Sequence, residues 1–305
     1  MKAVRIHSYG NADQLKVEEA PKPEIAKDEI LVKIYDAGIN PVDWKIRAGY
    51  LKTVMPKKFP LTMGQDIAGL AAEVGSDVNQ FKPGDEIFGF ATGAYAEYAA
   101  AKASELAHKP RSVNFASAAA IPTVGLTAWQ IVIDTIQVST GHSVLIHGAA
   151  GGVGSFAVQL AKWRGARVLA TASPEDANYL KGLGVEQVIN YKAERFEDKV
   201  KDADAVIDLV GGQTLQRSYQ AVKPGGWLVT TVAPVDENEA RKRGIRAMLL
   251  FMKRNGSELA QIAELVDQGI LKPRVDQIFP LSEAKRAQEL NESGQSHGKI
   301  VLQVA

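Results

Sequence analysis

The sequence predicts an α/β protein in two parts, a doubly wound parallel-sheet domain and a second, largely antiparallel β domain. Three observations predict it. Over residues 142–173 an apolar run, a glycine cluster, a helical period and a second apolar run follow in order. From about residue 116 such apolar runs alternate with helical patterns, which implies a parallel sheet covered on both faces. Before that, and again after about residue 270, short strand-like runs are broken by Gly and Pro. The simplest division gives the β domain residues 1–115 and 271–305, with a nucleotide-binding domain, 116–270, inserted between them.

Taken in order, residues 3–6, 30–35, 67–74, 85–90 and 95–99 read as strands of the β domain. Turn signals such as Pro21-Lys22-Pro23 and Lys82-Pro83-Gly84-Asp85 separate them. In the second domain Val144-Leu145-Ile146 opens the sheet. Val168-Leu169-Ala170, Val188-Ile189 and residues 204–209 and 227–232 continue it. The helix before the last of these is expected to end near Val222, with Pro224-Gly225-Gly226 as its stop. Residues 239–269 read as one or two helices interrupted near Asn255-Gly256, with Met248, Leu249, Phe251 and Met252 as an apolar helical patch. A strand (274–279), a helix (282–291) and a last strand (299–304) return the chain to the β domain.

Composition narrows the function classes. A formal net charge of +1 over 305 residues favours neither nucleic acid nor an anionic membrane, and the basic run Arg241-Lys242-Arg243 reads as a solvated face. No apolar run is long enough to span a bilayer, and the N-terminus lacks the features of a signal peptide, so a cytoplasmic location is the default expectation. There is no cysteine, hence no disulfide, thiolate ligand or thiol nucleophile. The five histidines form no ligand pair or catalytic spacing, and His147 reads as structural.

The glycine cluster carries the chemistry. Ala149-x-Gly151-x-x-Gly154 fits the dinucleotide fingerprint with its first glycine replaced by alanine. Ala150, Gly151, Gly152, Val153 and Gly154 would bring backbone N–H groups and a helix N-terminus to a pyrophosphate. The second strand ends Thr171-Ala172-Ser173, without the acid that NAD sites place there, and Thr171 and Ser173, with the phenol of Tyr191 and the cation of Lys192, are expected to favour NADP over NAD. Glu175 and Asp176 lie just beyond, within reach of a ribose. Val210 and Gly211, then Val232 and Ala233, close the fourth and fifth strands, where ligands of such sheets bind.

These residues, with Gly38-Ile39-Asn40-Pro41-Val42-Asp43, Gly64-Gln65-Asp66-Ile67-Ala68-Gly69, Lys82-Pro83-Gly84-Asp85, Gly125-Leu126-Thr127-Ala128 and Gly298-Lys299-Ile300-Val301, make the chain resemble a known group along essentially its whole length. It resembles the medium-chain dehydrogenase/reductase superfamily, in its zinc-free quinone oxidoreductase (zeta-crystallin-like) branch. The resemblance implies a GroES-like substrate domain and a Rossmann domain carrying NADPH. It places Asn40 and Asp43 at the floor of the substrate site, and Thr127 near the nicotinamide amide. Tyr50 falls on a loop expected to border the substrate, as proton donor or stacking partner. Zinc-dependent relatives carry Gly-His-Glu where this chain has Gly64-Gln65-Asp66, and a cysteine near Asn40. Gln65 is a poor zinc ligand. A reaction without a metal suits an activated C=C bond or a quinone better than a simple alcohol. The expected function is therefore NADPH-dependent reduction of a small quinone or enone by a homodimer. The alternatives are an NADPH-binding structural or RNA-binding crystallin-like protein and a zinc-type alcohol dehydrogenase.

Overall fold

The computed structural model describes residues 1–305. The chain folds into two compact units, Met1–Leu126 with Arg254–Ala305, and Thr127–Lys253.

The first unit begins with β1 (Lys2–Ile6), β2 (Lys16–Glu19) and β3 (Glu29–Ile39), followed by helix α1 (Pro41–Arg47). Then come β4 (Leu61–Thr62), β5 (Asp66–Val74), β6 (Glu86–Phe90), β7 (Tyr98–Lys102), β8 (Leu106–His108) and α2 (Phe115–Ala119). Alternation of apolar and polar residues in β1 and β3 turns Val4, Ile6, Ile30, Val32 and Ile34 into one apolar core. α1 interrupts the β texture for a local reason. Pro41 occupies its first position, extended Asn40 caps it, and the Asp43 carboxylate accepts the Asn40 backbone N–H. The expected strand at 95–99 lies three residues later, as β7, because Tyr95 turns inward and is fully buried.

In the second unit the chain leaves α3 (Pro122–Trp129) for β9 (Ser143–His147), α4 (Gly152–Trp163), β10 (Arg167–Ala172), α5 (Ala177–Gly182), β11 (Gln187–Asn190) and α6 (Phe196–Lys199). It continues with β12 (Ala203–Asp208), α7 (Gly212–Ser218), β13 (Val222–Thr230), α8 (Glu237–Arg243) and β14 (Arg246–Leu249). The six strands are parallel, in the order β11-β10-β9-β12-β13-β14. This is the doubly wound order, with its direction reversing at β9 and β12.

Two expectations are corrected here. Residues 246–249 are not helical: they form β14, with Met248 opposite Val229, and Phe251 beyond it is 79% exposed rather than part of a helical patch. Four residues are too few to display a period, and pairing with β13 overrides their mixed propensity. Gly244, left-handed at φ 65°, is the stop signal that ends α8. The helix expected to reach Val222 ends at Ser218, and Pro224-Gly225-Gly226 lies inside β13. Proline is tolerated there because the register jumps from Ala203↔Val222 to Ala205↔Trp227, leaving residues 223–226 outside the ladder with β12.

The chain then returns to the first unit through α9 (Gly256–Asp267), β15 (Val275–Pro280), α10 (Ala284–Ser293) and β16 (Lys299–Gln303). β16 pairs with β3, Leu302 against Ala37, and completes the sheet β15-β16-β3-β5-β6-β8, with β7 also on β3. No helix is long and apolar enough to cross a membrane.

Candidate functional site

In the second unit the turn after β9 is built on backbone. Gly148 is left-handed at φ 68°, and a Cβ at Gly154 would lie 2.3 Å from the Gly148 carbonyl oxygen and 2.7 Å from Ala149 Cα. Only hydrogen fits at position 154, so α4 starts hard against the strand end. Gly151 differs: its added Cβ would meet nothing closer than 3.4 Å. As N-cap of α4 it supplies no side-chain acceptor, and the first intrahelical bond runs from Ser155 N–H to Gly151 O at 2.9 Å. The N–H groups of Gly152, Val153 and Gly154 are thus left to an external anion. A dinucleotide pyrophosphate fits this cradle.

The neighbouring turn is held by Asp208, fully buried at the end of β12. Its carboxylate accepts N–H bonds from Val210 (3.2 Å) and Gly211 (3.0 Å) and the Thr230 hydroxyl (2.9 Å). Val210 and Val232, 52% and 44% exposed, present apolar surface beside the glycine turn, and a Cβ on Gly148 would lie 3.4 Å from Val210 Cγ2. Ala233 follows Val232 directly. Ala150 and Thr127 are buried, at 8% and 6%. Of the residues assigned to the ribose end, Ser173 and Tyr191 follow strand ends paired in register, Ala172 opposite Asn190. Thr171 faces inward, 4% exposed, its hydroxyl 3.0 Å from His147 Nδ1. His147 is fully buried, edge-on to Phe196, and burial pushes its pKa down to about 3, so it is a neutral structural residue.

In the first unit a polar nest surrounds the start of α1. Lys299, buried on β16, donates from Nζ to Ile39 O (2.5 Å) and Asn40 Oδ1 (2.6 Å). The Asn40 backbone N–H and the Tyr95 hydroxyl both donate to Asp43 Oδ2, each at 2.8 Å. Asn40 Nδ2 and Asp43 Oδ1 are buried with no partner. Because Lys299 can only donate, it fixes the Asn40 oxygen towards itself and leaves the amide N–H₂ as the free end. Burial pushes the Asp43 carboxyl up to about 6, against hydrogen bonds from Asn40 and Tyr95 that lower it. Burial likewise lowers the Lys299 pKa, while the carboxylates of Asp66 and Asp43 oppose that shift.

Asp43 also lines a pocket with Ile46, Lys57, Met63, Gln65 and Arg254. Arg254 is clamped by Glu105 (2.8 Å) and Gln65 Oε1 (2.5 Å). Tyr50 stands apart from this nest, 72% exposed and edge-on to Trp44 at 5.8 Å. Sequence reasoning assigned no role to Tyr95, Lys299, Lys57 or Arg254. Lys299 did carry a signal, a lone ammonium heading the apolar run Ile300-Val301-Leu302, since a lysine buried among such residues needs acceptors.

The donor set does not fit zinc. Gln65 Oε1 accepts from Arg254, both Asp66 oxygens accept from Thr123 (2.6 and 3.1 Å), and no three His, Cys, Asp or Glu side chains gather as ligands.

Comparison with known proteins agrees with this architecture. Residues 26–111 match the alcohol dehydrogenase GroES-like domain, and residues 183–302 match the family described as zinc-binding dehydrogenase. The quinone oxidoreductase of Coxiella burnetii is 38% identical, with a TM-score of 0.91, covering 100% of this chain and 99% of its own. The Escherichia coli quinone oxidoreductase, solved with NADPH, is 29% identical with a TM-score of 0.91, and the match covers 100% of both chains. The NADPH-dependent alkenal/one oxidoreductase of Arabidopsis thaliana chloroplasts is 34% identical over 99% of this chain and 79% of its own length. With both domains matched and full-length relatives above 30% identity, the chain belongs to the medium-chain dehydrogenase/reductase superfamily, among its quinone oxidoreductases.

Proposed function

We propose that this oxidoreductase uses NADPH to reduce quinones or α,β-unsaturated carbonyls by direct hydride transfer, without a metal ion. The observation that carries the reading is the Asn40 amide, buried at 1% exposure, its oxygen held by Lys299 and its N–H₂ end unpartnered. Bound NADPH supplies the hydride. The N–H groups of Gly152, Val153 and Gly154 hold the pyrophosphate, Val210, Gly211, Val232 and Ala233 line the nucleotide beyond it, and Ser173, Tyr191 and Lys192 take the 2′-phosphate. Asn40 Nδ2 donates to the substrate oxygen on which negative charge develops, and Asp43 positions Asn40 through its backbone N–H. A neutral amide is a modest electrophilic aid. It suits an acceptor whose own conjugation spreads charge to oxygen, and the names of the Arabidopsis and Coxiella relatives support the same class. Tyr50 offers an exposed aromatic face to a planar substrate.

The test is steady-state NADPH oxidation with 1,2-naphthoquinone and with a simple enone. Turnover with at least one acceptor is expected, and Asn40→Ala should lower kcat about 100- to 1,000-fold, the range for losing one oxyanion donor. Tight NADPH binding with no turnover on any activated acceptor would make this a binding protein and overturn the reading.

A further inference from the structure

The ribose end of the nucleotide site carries carboxylates beside its phosphate-binding groups. Register places Ala172 of β10 beside Asn190 of β11, so Ser173 and the pair Tyr191-Lys192 emerge side by side at the carboxyl ends of the strands. Both expected phosphate donors are already turned towards carboxylates of the short turn Pro174–Asp176. The Ser173 hydroxyl, with one proton to give, lies within reach of two carboxylates, Asp176 Oδ2 at 3.3 Å and Glu175. The Lys192 ammonium lies 3.6 Å from Glu175 Oε1, with Lys192 54% and Glu175 60% exposed. Hydrogen bonds from the Ser173 hydroxyl and from its own backbone N–H, and then the Lys192 charge, hold the Glu175 carboxyl below its ordinary range, so it is ionised at neutral pH. Asp176 is different: it is 8% exposed and its Oδ2 lies against Ser173 of the same turn, which leaves Glu175 as the exposed acid there. Glu175 also falls about 20 residues beyond the glycine turn, where a carboxylate in this fold accepts the ribose 2′-hydroxyl of NAD.

We propose that Glu175 tunes the cofactor choice of this enzyme: its carboxylate accepts the 2′-hydroxyl of NADH and competes with the 2′-phosphate of NADPH for Ser173 and Lys192, so that the preference for NADPH is smaller than Ser173 and Lys192 alone would give. The proposal rests on the nicotinamide-dinucleotide reading of the site. An exposed unit charge a few ångströms from a phosphate, screened by water and salt, is worth about a three- to tenfold change in affinity.

The experiment titrates the full chain with NADPH and with NADH, following cofactor fluorescence, for the wild type, Glu175→Gln and Lys192→Gln. Glu175→Gln should tighten NADPH about three- to tenfold while leaving NADH unchanged or weaker, and the gain should shrink as salt is raised. Lys192→Gln should weaken NADPH more than NADH. If Glu175→Gln shifts both cofactors equally, or neither, the assignment of Glu175 is overturned while the dinucleotide site stands. If the wild type binds neither cofactor, the dinucleotide reading itself falls, and this inference with it.

Discussion

Replacing Asp43 with asparagine separates its charge from its hydrogen bonds, and the geometry makes the exchange unusually clean. Both donors, the Asn40 backbone N–H and the Tyr95 hydroxyl, address the same oxygen, Oδ2, at 2.8 Å, while Oδ1 is unpartnered. An asparagine carbonyl in the Oδ2 position keeps both bonds, while its N–H₂ takes the place of Oδ1, so the variant exchanges an ionisable group for one that is neutral at every pH. In the wild type, burial raises the carboxyl from 3.8 to about 6. A folded-state pKa above the unfolded one means a contribution fully present below about pH 4 and lost as pH rises through 6. Two units amount to about 3 kcal/mol. The stability of Asp43→Asn relative to wild type should therefore improve by about 3 kcal/mol between pH 4 and pH 7.5. Asp36, raised to about 6 by burial on β3, is common to both proteins and cancels. Urea denaturation at four pH values, with unchanged m-values, measures the difference. Parallel pH profiles would refute the burial argument. A profile of opposite sign would mean that the Lys299 ammonium outweighs desolvation and holds Asp43 ionised.

Two further variants test the nucleotide turn and the nest. Gly154→Ala places a methyl 2.3 Å from the Gly148 carbonyl and should weaken NADPH about 10- to 100-fold with a measurable drop in Tm, whereas Gly151→Ala, with 3.4 Å of room, should leave Tm unchanged. Equal loss of Tm in the two would contradict the packing assigned to Gly154. Lys299→Met strands the acceptors Ile39 O and Asn40 Oδ1 and removes the cation near Asp43 and Asp66. It should destabilise the fold by about 3–5 kcal/mol in urea melts and lower kcat more than it raises KM, since Asn40 is then free to flip. Wild-type stability would show Lys299 to be dispensable.

The nucleotide turn was legible because its information is local. A strand of four or five apolar residues, glycines at fixed offsets and a helical period all act within about 20 residues of chain, and each has one physical reading. The doubly wound class followed from the same short-range alternation. β14 was hidden, since Arg246-Ala247-Met248-Leu249 becomes a strand only through the neighbour it pairs with.

The chemistry of the substrate side belongs to tertiary structure. Asn40 and Asp43 were picked out by a motif, but their states depend on residues far along the chain: Tyr95, 52 positions from Asp43, and Lys299, 259 from Asn40. Which end of the Asn40 amide is free, and how far the Asp43 proton is held, are consequences of burial and of donors brought in by β16 and the segment before β7. Residue order settles which backbone groups face one another across a turn. Only packing settles which buried polar atoms find a partner, because that requires knowing what has been excluded from water around them.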